Sequence, residues 1–151
     1  MSYYLAIDIG ASSGRHILGT VENGKIKLEE IYRFENGMKE IDGQLCWDTE
    51  HMFGEIKAGL KKCGELGKIP VSLGIDTWGV DFVLVDAQGE RIGNAVGYRD
   101  HRTEGIREKL APIISQEELY RRTGIAYQPY NTINQLVALK ADAPEQLERA
   151  S

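Results

Sequence analysis

The sequence contains little cysteine, and its two cysteines follow no pattern associated with metal binding or cross-linking. Cys46 and Cys63 stand alone, without CxxC spacing or a nearby histidine pair. A structural zinc site needs such a cluster of ligands, and a disulfide framework needs more cysteines than this. We therefore expect two free thiols.

Long apolar runs and blocks of like charge are also absent from the sequence. No stretch approaches the ~18 apolar residues of a membrane span, and the first residues lack the basic segment and apolar run of a signal peptide. The net charge is −5 and the lysines and arginines are dispersed, which argues against a nucleic-acid-binding surface. These absences predict a cytoplasmic protein with a small-molecule ligand and without nucleic acid or membrane as partner.

What the chain does have is a mixture of apolar and charged residues that suits one core of ordinary size. Its 151 residues predict one domain or a part of one. A helical pattern that begins after residues 131–136 runs to Ser151 without a closing element. We interpret the chain as truncated.

The first part of the sequence predicts three consecutive antiparallel strands. Residues 3–9 form an apolar run typical of a buried central strand, and residues 15–21 predict a second strand. Asn23-Gly24 is the strongest short-range signal for a hairpin, and it leads into a third strand over 26–34. In that strand the apolar side chains keep a period of two, which predicts one buried face made of Ile26, Leu28, Tyr32 and Phe34.

A helix and two further strands are predicted next. The helix is capped by Asp48 or Thr49 and ends at Gly67. Its apolar positions at helical spacing are Phe53, Ile56, Leu60 and Cys63. Strand-like runs follow over 71–76 and 80–86, and the first of them can pair in parallel because it follows a helix.

The remaining pattern is weaker, with a polar turn over 87–90 and short helices over 104–114 and 116–122 that lead to a stop at Gly124. The order of three strands, a helix and a strand belongs to few architectures. It resembles half of a ribonuclease-H-like ATPase domain of the actin, hexokinase and Hsp70 type. The expected fold is therefore α/β, a mixed sheet with flanking helices in an incomplete first domain.

The first turn carries the clearest chemistry in the sequence. Asp8 ends the first strand, and Gly10-Ala11-Ser12-Ser13-Gly14 then offers a row of backbone N–H groups and two hydroxyls, which suit phosphate oxygens. Arg15 brings positive charge, and Asp8 would hold Mg²⁺ directly or through water, since a carboxylate repels phosphate. Taken alone, the segment is equally an ordinary hairpin turn, because it matches neither GxxxxGK[ST] nor GxGxxG.

Three stretches, at 6–15, 74–82 and 98–103, together resemble the FGGY carbohydrate kinases. They read Ala-Ile-Asp-Ile-Gly-Ala-Ser-Ser-Gly-Arg, Gly-Ile-Asp-Thr-Trp-Gly-Val-Asp-Phe and Tyr-Arg-Asp-His-Arg-Thr. The first resembles the phosphate loop of that family and implies that Asp8 lies near the metal. The residues that it places near the phosphates of ATP are Ala11, Ser12, Ser13, Gly14 and Arg15.

The second stretch resembles the sugar-facing strand and hairpin of the family. Gly79-Val80 after Trp78 is similar to the branch that phosphorylates L-rhamnulose, which implies that Gly79 and Trp78 contact the substrate. A glycine leaves room for a deoxyketose, and the indole offers an apolar wall to its methyl group. From the residues alone, Trp78 is as readily a core tryptophan, and Asp76 and Asp81 make ordinary strand-end hydrogen bonds.

The third stretch matches the W-x-D-x-R region of the family more loosely, because Tyr98 stands where tryptophan is common. Asp100 and Arg102 either orient the substrate region through an ion pair or form a surface salt bridge of ~0–1 kcal/mol. The histidines are scattered, and we expect packing or surface roles for them: His16, His51 and His101.

The resemblance implies transfer of the ATP γ-phosphoryl group to the C1 hydroxyl of L-rhamnulose, in L-rhamnose catabolism, by positioning and charge neutralisation. It further implies that residues 1–151 are the N-terminal part of the first kinase domain. The catalytic base, an aspartate in a His-Asp-Thr-like motif, has no counterpart in this chain and is expected beyond Ser151. The fragment alone should therefore be inactive.

Three alternatives stay open from the sequence. The first is a kinase for another ketose or polyol such as L-fuculose, with the same fold and phosphate loop. The second is a non-enzymatic actin- or Hsp70-like nucleotide-binding module. The third is a packing or dimerisation module of a larger protein; the sequence carries no indication of the oligomeric state.

Overall fold

The computed structural model describes residues 2–151 of the chain. Its strands are β1 (Tyr3–Ile9), β2 (Ser13–Glu22), β3 (Lys25–Glu35), β4 (Met38–Ile41), β5 (Gln44–Trp47), β6 (Pro70–Thr77), β7 (Leu84–Val85) and β8 (Arg91–Ile92). Its α-helices are α1 (Thr49–Glu65), α2 (Ile106–Leu110), α3 (Gln116–Thr123), α4 (Thr132–Asp142) and α5 (Pro144–Arg149), with a 3₁₀ turn at His101–Thr103.

Two compact units make up the chain. The first contains the chain up to Met38 together with Asp48–Gly79, and the second contains Lys39–Trp47 with Val80–Ser151. Within the described residues, no helix is long and apolar enough to cross a membrane.

The first unit is a mixed four-stranded sheet in the order β3-β2-β1-β6. The pairs β1–β2 and β2–β3 are antiparallel, whereas β6 runs parallel to β1. This arrangement confirms the predicted antiparallel start and the predicted parallel partner. Asn23 and Gly24 have φ of 51° and 73°, the left-handed backbone that a two-residue hairpin turn requires, so the predicted hairpin is confirmed as well.

Helix α1 supplies the cover for one face of this sheet. The Asp48 side chain caps it by accepting from the His51 backbone N–H at 2.9 Å, and Gly67 beyond its end has φ 65°. The core beneath it consists of Leu5, Ile7, Ile9, Leu18, Phe34 and Cys63. Of the four apolar positions at helical spacing, Phe53 does not pack on this core: its side chain is exposed, and Met52 packs there instead.

The predicted buried face of the third strand is also wrong for half its members. Ile26 and Leu28 are 75% and 71% exposed, whereas Phe34 is buried. The cause is a bulge, because His16 pairs with Tyr32 while the next residue, Ile17, pairs with Glu30. One extra residue in β3 moves the preceding side chains to the other face of the sheet, which α1 does not cover.

The second unit is built from short elements. The β4–β5 hairpin, which was not predicted, turns at Asp42-Gly43 with φ of 52° and 76°. The strand predicted over 80–86 is wrong except for Leu84–Val85, which pairs with Arg91–Ile92 around the predicted polar turn. That turn is closed by the Asp86 carboxylate, which accepts from two backbone N–H groups.

The helices of the second unit follow the prediction in part. The helix predicted over 104–114 is limited to Ile106–Leu110, whereas α3 confirms the helix predicted over 116–122. Gly124 ends α3 with φ 69°, as expected of a left-handed C-terminal glycine. The helical pattern expected after residues 131–136 begins earlier, at Thr132, and forms α4 and α5.

Candidate phosphate and sugar site

Parallel pairing of β1 and β6 sets the position of the candidate site. The carboxyl ends of parallel strands lie at the same edge of a sheet, so residues 10–12 after β1 and residues 78–79 after β6 share one edge. The predicted phosphate loop and the predicted sugar-facing turn are therefore neighbours within the first unit, although about 65 residues of sequence separate them.

Two carboxylates lie side by side at this edge. Asp8 is in register with Asp76 on the parallel strand β6, and neighbouring strands are about 4.8 Å apart. Asp8 is partly buried and Asp76 is exposed. From the sequence, Asp76 was expected only to make ordinary strand-end hydrogen bonds, because only the strand register reveals that it stands beside Asp8.

Asp8 also has a cationic partner on its other side. Arg15 is its register partner on β2, and the guanidinium donates from Nε to Asp8 Oδ2 at 2.8 Å, with Nη2 at 2.6 Å from the same oxygen. Both side chains are partly exposed, at 29% for Arg15 and 41% for Asp8. The arginine predicted to meet phosphate and the carboxylate predicted to hold the metal thus contact each other in this structure.

The loop over 10–12 is shaped by backbone bonds and by Asn36. Gly10 N–H donates to Ser13 O at 3.0 Å, and Asn36 donates from its backbone to Ser12 O at 3.0 Å and from its amide to Gly10 O at 2.9 Å. Asn36 follows β3 and was not among the predicted site residues. Its signal was weak, since an Asn-Gly pair after a strand normally indicates only a turn.

The two glycines of the loop have different reasons to be glycine. A Cβ on Gly14 would lie 2.1 Å from the Phe34 ring, whereas a Cβ on Gly10 would lie 3.1 Å from Ser13 O. Neither has a positive φ. Gly14 is buried in β2 and leaves room for an aromatic side chain of the core, which is a packing reason for glycine at this position.

A second arginine, not predicted, lies at the same turn. Arg33 donates from Nη1 to Ser13 Oγ at 3.4 Å and is paired with Glu30 through Nε at 2.8 Å. It is the register partner of Arg15 on β3. Positive charge from two neighbouring strands therefore flanks the hydroxyl of Ser13.

The donor set at this edge fits a hard divalent cation. Magnesium is commonly held by one or two carboxylates, with water and substrate phosphates filling its remaining positions. Asp8 and Asp76 meet that description. Across residues 2–151 there is no group of three or more histidine, cysteine or acidic side chains placed to hold a metal, so a self-sufficient protein metal cage is not part of the described chain.

Trp78 and Gly79 follow β6 and differ in their surroundings. Trp78 is partly buried and packs against the apolar core of the first unit, so the alternative of a core tryptophan has direct structural support. Gly79 is exposed, has no positive φ, and a Cβ built on it would meet no atom within 4 Å. Neither packing nor backbone conformation in this structure explains a glycine at this position.

The motif over 98–102 lies in the second unit, where Asp100 is buried, Arg102 is partly buried, and Arg99 and His101 are exposed. The Asp100 carboxylate accepts from the backbone N–H of Leu45 at 2.7 Å and of Arg102 at 2.9 Å. The Arg102 guanidinium donates to Gln135 Oε1 at 2.5 Å. The alternative of a surface salt bridge is wrong, because the Asp100 side chain is only 1% exposed. The orientation of the substrate region by Asp100 and Arg102 stays a prediction.

The positive charge of the partly buried Arg102 is stabilised by neighbouring carboxylates, but not enough to offset the effect of burial on its pKa. Burial lowers the pKa of Arg102, and the nearby carboxylates of Asp100 and Asp81 oppose that shift. Asp81 itself accepts from Trp47 Nε1 at 2.6 Å. These contacts give the motif a role in holding the second unit together.

The histidines and cysteines have the packing and surface roles expected of them. His16 is buried beneath α1, His51 bonds to the Glu35 carbonyl at 3.0 Å, and His101 is exposed. Cys46 and Cys63 are buried free thiols, and burial raises the pKa of both. None of these five side chains is among the residues described above at the edge with Asp8, Asp76 and the loop over 10–12.

Comparison with known proteins gives a consistent set of matches. The model of the FGGY family of carbohydrate kinases, N-terminal domain, matches residues 3–151. A rhamnulokinase from Halalkalibacterium halodurans is 54% identical over 99% of this chain and 32% of its own length. A rhamnulokinase from Bacillus subtilis is 47% identical over 88% of this chain and 27% of its own. The chain spans about a third of the length of these relatives.

Solved structures resemble the chain in fold. A ligand-bound xylulose kinase from Lactobacillus acidophilus superposes with a TM-score of 0.80 at 18% identity, covering 99% of this chain and 30% of that one. A glycerol kinase from Plasmodium falciparum with ADP gives a TM-score of 0.77 at 16% identity, covering 98% and 30%. The predicted fold class, a mixed sheet of ribonuclease-H-like type with flanking helices, is confirmed by this likeness.

Proposed function

The chain belongs to the FGGY family of carbohydrate kinases, and on that premise we propose that it supplies the phosphate-binding edge and part of the sugar site of an ATP-dependent sugar kinase. The kinase as a whole transfers the γ-phosphoryl group of ATP to the C1 hydroxyl of L-rhamnulose. The observation that carries the proposal is the pairing of Asp8 with Asp76 at the strand ends beside the loop over 10–12.

Phosphate binding is assigned to the loop and to the start of β2. Backbone N–H groups and hydroxyls from Ala11 to Ser13 offer neutral donors, and Arg15 offers a guanidinium that can turn from Asp8 to a phosphate oxygen. Gly14 lies between Ser13 and Arg15 and leaves room for the Phe34 ring. Its role in this segment is to let β2 pack closely, which fixes the positions of Ser13 and Arg15.

Asp8 and Asp76 are assigned to a bound Mg²⁺. When bound, that cation neutralises charge on the nucleotide phosphates. The contribution of the protein is two hard oxygen ligands on neighbouring strands whose register fixes their separation.

The sugar is assigned from two observations of different kind. Relatives that are 45–54% identical carry the name rhamnulokinase, and Gly79 leaves open space at the edge where the phosphate loop lies. Trp78 contributes the exposed part of its indole as an apolar wall, while the rest of the ring packs on the core. The proton acceptor for the C1 hydroxyl is assigned to a segment beyond Ser151.

The test is a coupled assay of ADP formation by the full-length kinase that carries this chain. L-Rhamnulose, L-fuculose, D-xylulose and glycerol are compared as acceptors, and we expect the highest kcat/KM with L-rhamnulose. A higher value with L-fuculose would reassign the substrate. Nucleotide binding without turnover on any acceptor would favour the actin-like binding module instead.

Arg15→Ala in the same enzyme tests the phosphate assignment. Removing one preorganised donor from a developing charge commonly lowers kcat by about 100- to 1,000-fold, and we expect a loss of that size. Arg121→Ala is the matched control, because Arg121 is exposed on α3 and pairs with Glu118. A kcat for Arg15→Ala equal to that of the control would rule out a role for Arg15 in phosphoryl transfer.

A further inference from the structure

Val80 adopts a backbone conformation that valine rarely adopts. Its φ is 71°, in the left-handed region, where a β-branched side chain is strongly disfavoured. Across residues 2–151 the other non-glycine residues with positive φ are Asn23 and Asp42, which occupy hairpin turns and tolerate this region. Val80 is 38% exposed, so burial of its side chain does not account for the strain.

The contacts that hold Val80 come from the start of α4. The Val80 carbonyl accepts from Gln135 Nε2 at 3.2 Å and from Thr132 Oγ1 at 3.4 Å. Gln135 is only 1% exposed, and its Nε2 also donates to the Tyr130 carbonyl at 2.8 Å. A strained residue persists only where its surroundings over-determine it, and a buried amide with fixed partners meets that requirement.

Arg102 fixes the direction of the Gln135 amide. Its Nη2 donates to Gln135 Oε1 at 2.5 Å, and its guanidinium lies over the Phe82 ring with 5.9 Å to the centroid. A guanidinium can only donate, so the amide oxygen must face Arg102 and the amide nitrogen must face the two carbonyls. Flipping the amide would set donor against donor at one end and acceptor against acceptor at the other.

We infer that Gln135, oriented by Arg102, is a positioning residue for the sugar-facing peptide between Gly79 and Val80. The φ of Val80 is the rotation about its N–Cα bond, which joins the Gly79–Val80 peptide to the part of Val80 that carries its carbonyl. Holding the Val80 carbonyl therefore restricts the directions of the Gly79 carbonyl and the Val80 N–H. The inference rests on the proposed function for its consequence, since Gly79 contacts sugar only if the chain serves a sugar kinase. Gln135 would therefore affect substrate affinity without contacting the substrate, although it lies about 55 residues after Val80 in the sequence.

Gln135→Met in the full-length kinase removes the donor while keeping side-chain length. We expect the KM for L-rhamnulose to rise about tenfold, the loss typical of one or two neutral hydrogen bonds, with the KM for ATP unchanged. Gln88→Met is the matched control, because Gln88 lies in the exposed turn between β7 and β8. An unchanged sugar KM in a folded Gln135→Met enzyme would overturn the inference.

Val80→Gly separates positioning from packing. Glycine adopts a positive φ without assistance, so adding Gln135→Met to Val80→Gly should raise the sugar KM by no more than about threefold, against about tenfold in the wild-type background. A purely structural role for Gln135 would give the same increase in both backgrounds, and that result would contradict positioning.

Two further measurements keep the inference testable if the enzyme behaves otherwise. If the wild-type enzyme phosphorylates no sugar, the proposed function fails. The Cα and Cβ chemical shifts of Val80 still report whether Gln135→Met releases the backbone of Val80. Unchanged shifts would refute the inference. If Gln135→Met does not fold, Gln135→Glu keeps an acceptor for Arg102 and loses the amide donor, and it should show the same rise in sugar KM or, without that rise, refute the inference.

Discussion

At the scale of single residues, Gly79 is the position where structure and proposed function are easiest to separate. Its surroundings leave space for a Cβ, and its backbone does not require glycine. Gly14 is the opposite case, because a Cβ there would overlap the Phe34 ring. Core packing therefore explains the glycine at position 14, whereas the glycine at position 79 is explained by the proposed sugar site.

Gly79→Ala in the full-length kinase should raise the KM for sugar while leaving the melting temperature within about 1 °C of wild type, since surface substitutions usually change stability little. The measurements are steady-state kinetics and thermal unfolding of the same preparations. Gly74→Ala, also in open space but within β6, is the control for the effect of an added methyl group. A parallel loss of stability and affinity in Gly79→Ala would mean that Gly79 is structural.

His16 should make stability depend on pH. Burial lowers its pKa from 6.5, against the weaker opposing effects of the Ile56 carbonyl and the Glu55 charge. The unfolded state then binds the proton more readily, so stability is complete above pH ~6.5 and falls as the pH decreases below it. Urea unfolding between pH 7 and pH 5 should show this slope, and His16→Met should reduce it.

His101→Met is the control for that titration, because the His101 side chain is exposed at 72%. It should retain the pH dependence of the wild-type protein. Equal slopes in His16→Met and wild type would show that another group carries the effect.

At the scale of elements, the contact between α1 and the sheet is close because of one glycine. A Cβ on Gly59 would lie 2.3 Å from the His16 imidazole, whereas a Cβ on Gly54 in the same helix would meet nothing within 4 Å. Glycine normally weakens a helix interior. Its presence at Gly59 is explained by the room that the buried imidazole needs.

These two glycines predict opposite responses to the same substitution. Gly54→Ala should stabilise the protein by about 0.5–1 kcal/mol through helix propensity, while Gly59→Ala should destabilise it by about 1–2 kcal/mol because overpacking costs more than propensity returns. Urea unfolding of both variants is the measurement. Stabilisation by Gly59→Ala would show that His16 can move aside without cost.

Local signals predicted most elements of the first unit. Asn23-Gly24, the apolar run of β1 and the cap at Asp48 each specify their structure within a few residues of sequence. The face of β3 could not be predicted, since the bulge between the pairs His16–Tyr32 and Ile17–Glu30 is a property of two strands together. The β4–β5 hairpin was predictable, because Asp42-Gly43 is as strong a turn signal as Asn23-Gly24.

The residues of the candidate site also fall into two groups, those that the local sequence predicts and those that only the fold brings together. The loop after Asp8 carries its own chemistry, so the sequence alone pointed to it. Asp76 and Arg33 become neighbours of that loop only through strand register. Gln135 was beyond prediction, because its relation to Val80 depends on how α4 packs within the second unit.

At the scale of the whole molecule, the sheet of the first unit has an apolar edge strand. Strand β6 pairs on one side only, and Val71, Leu73 and Ile75 along it are 66%, 50% and 53% exposed. Unpaired apolar edges are templates for pairing with other chains. Strand β6 is therefore a candidate surface for association with another chain.

Association of the 151-residue chain in solution should accordingly depend on β6. We expect light scattering coupled to size exclusion to show species larger than the monomer as concentration rises, and Leu73→Lys to shift the distribution toward monomer, since an edge lysine opposes strand pairing. Ile113→Lys, at an isoleucine of the second unit that is 81% exposed, is the control. Identical distributions for both variants would exclude β6 as the contact.

The contact between Asp8 and Arg15 has a consequence for the order in which ligands arrive. The two charges of the pair neutralise each other. If Arg15 binds phosphate and Asp8 binds Mg²⁺, as proposed, a free nucleotide must draw Arg15 away from a carboxylate that would then repel it, and a free cation must compete with the guanidinium already in place. A magnesium–nucleotide complex supplies a cation for Asp8 and a phosphate for Arg15 at the same time. Cation and nucleotide are therefore expected to enter together, with each raising the affinity of the other, which calorimetric titration of ATP with and without magnesium would measure.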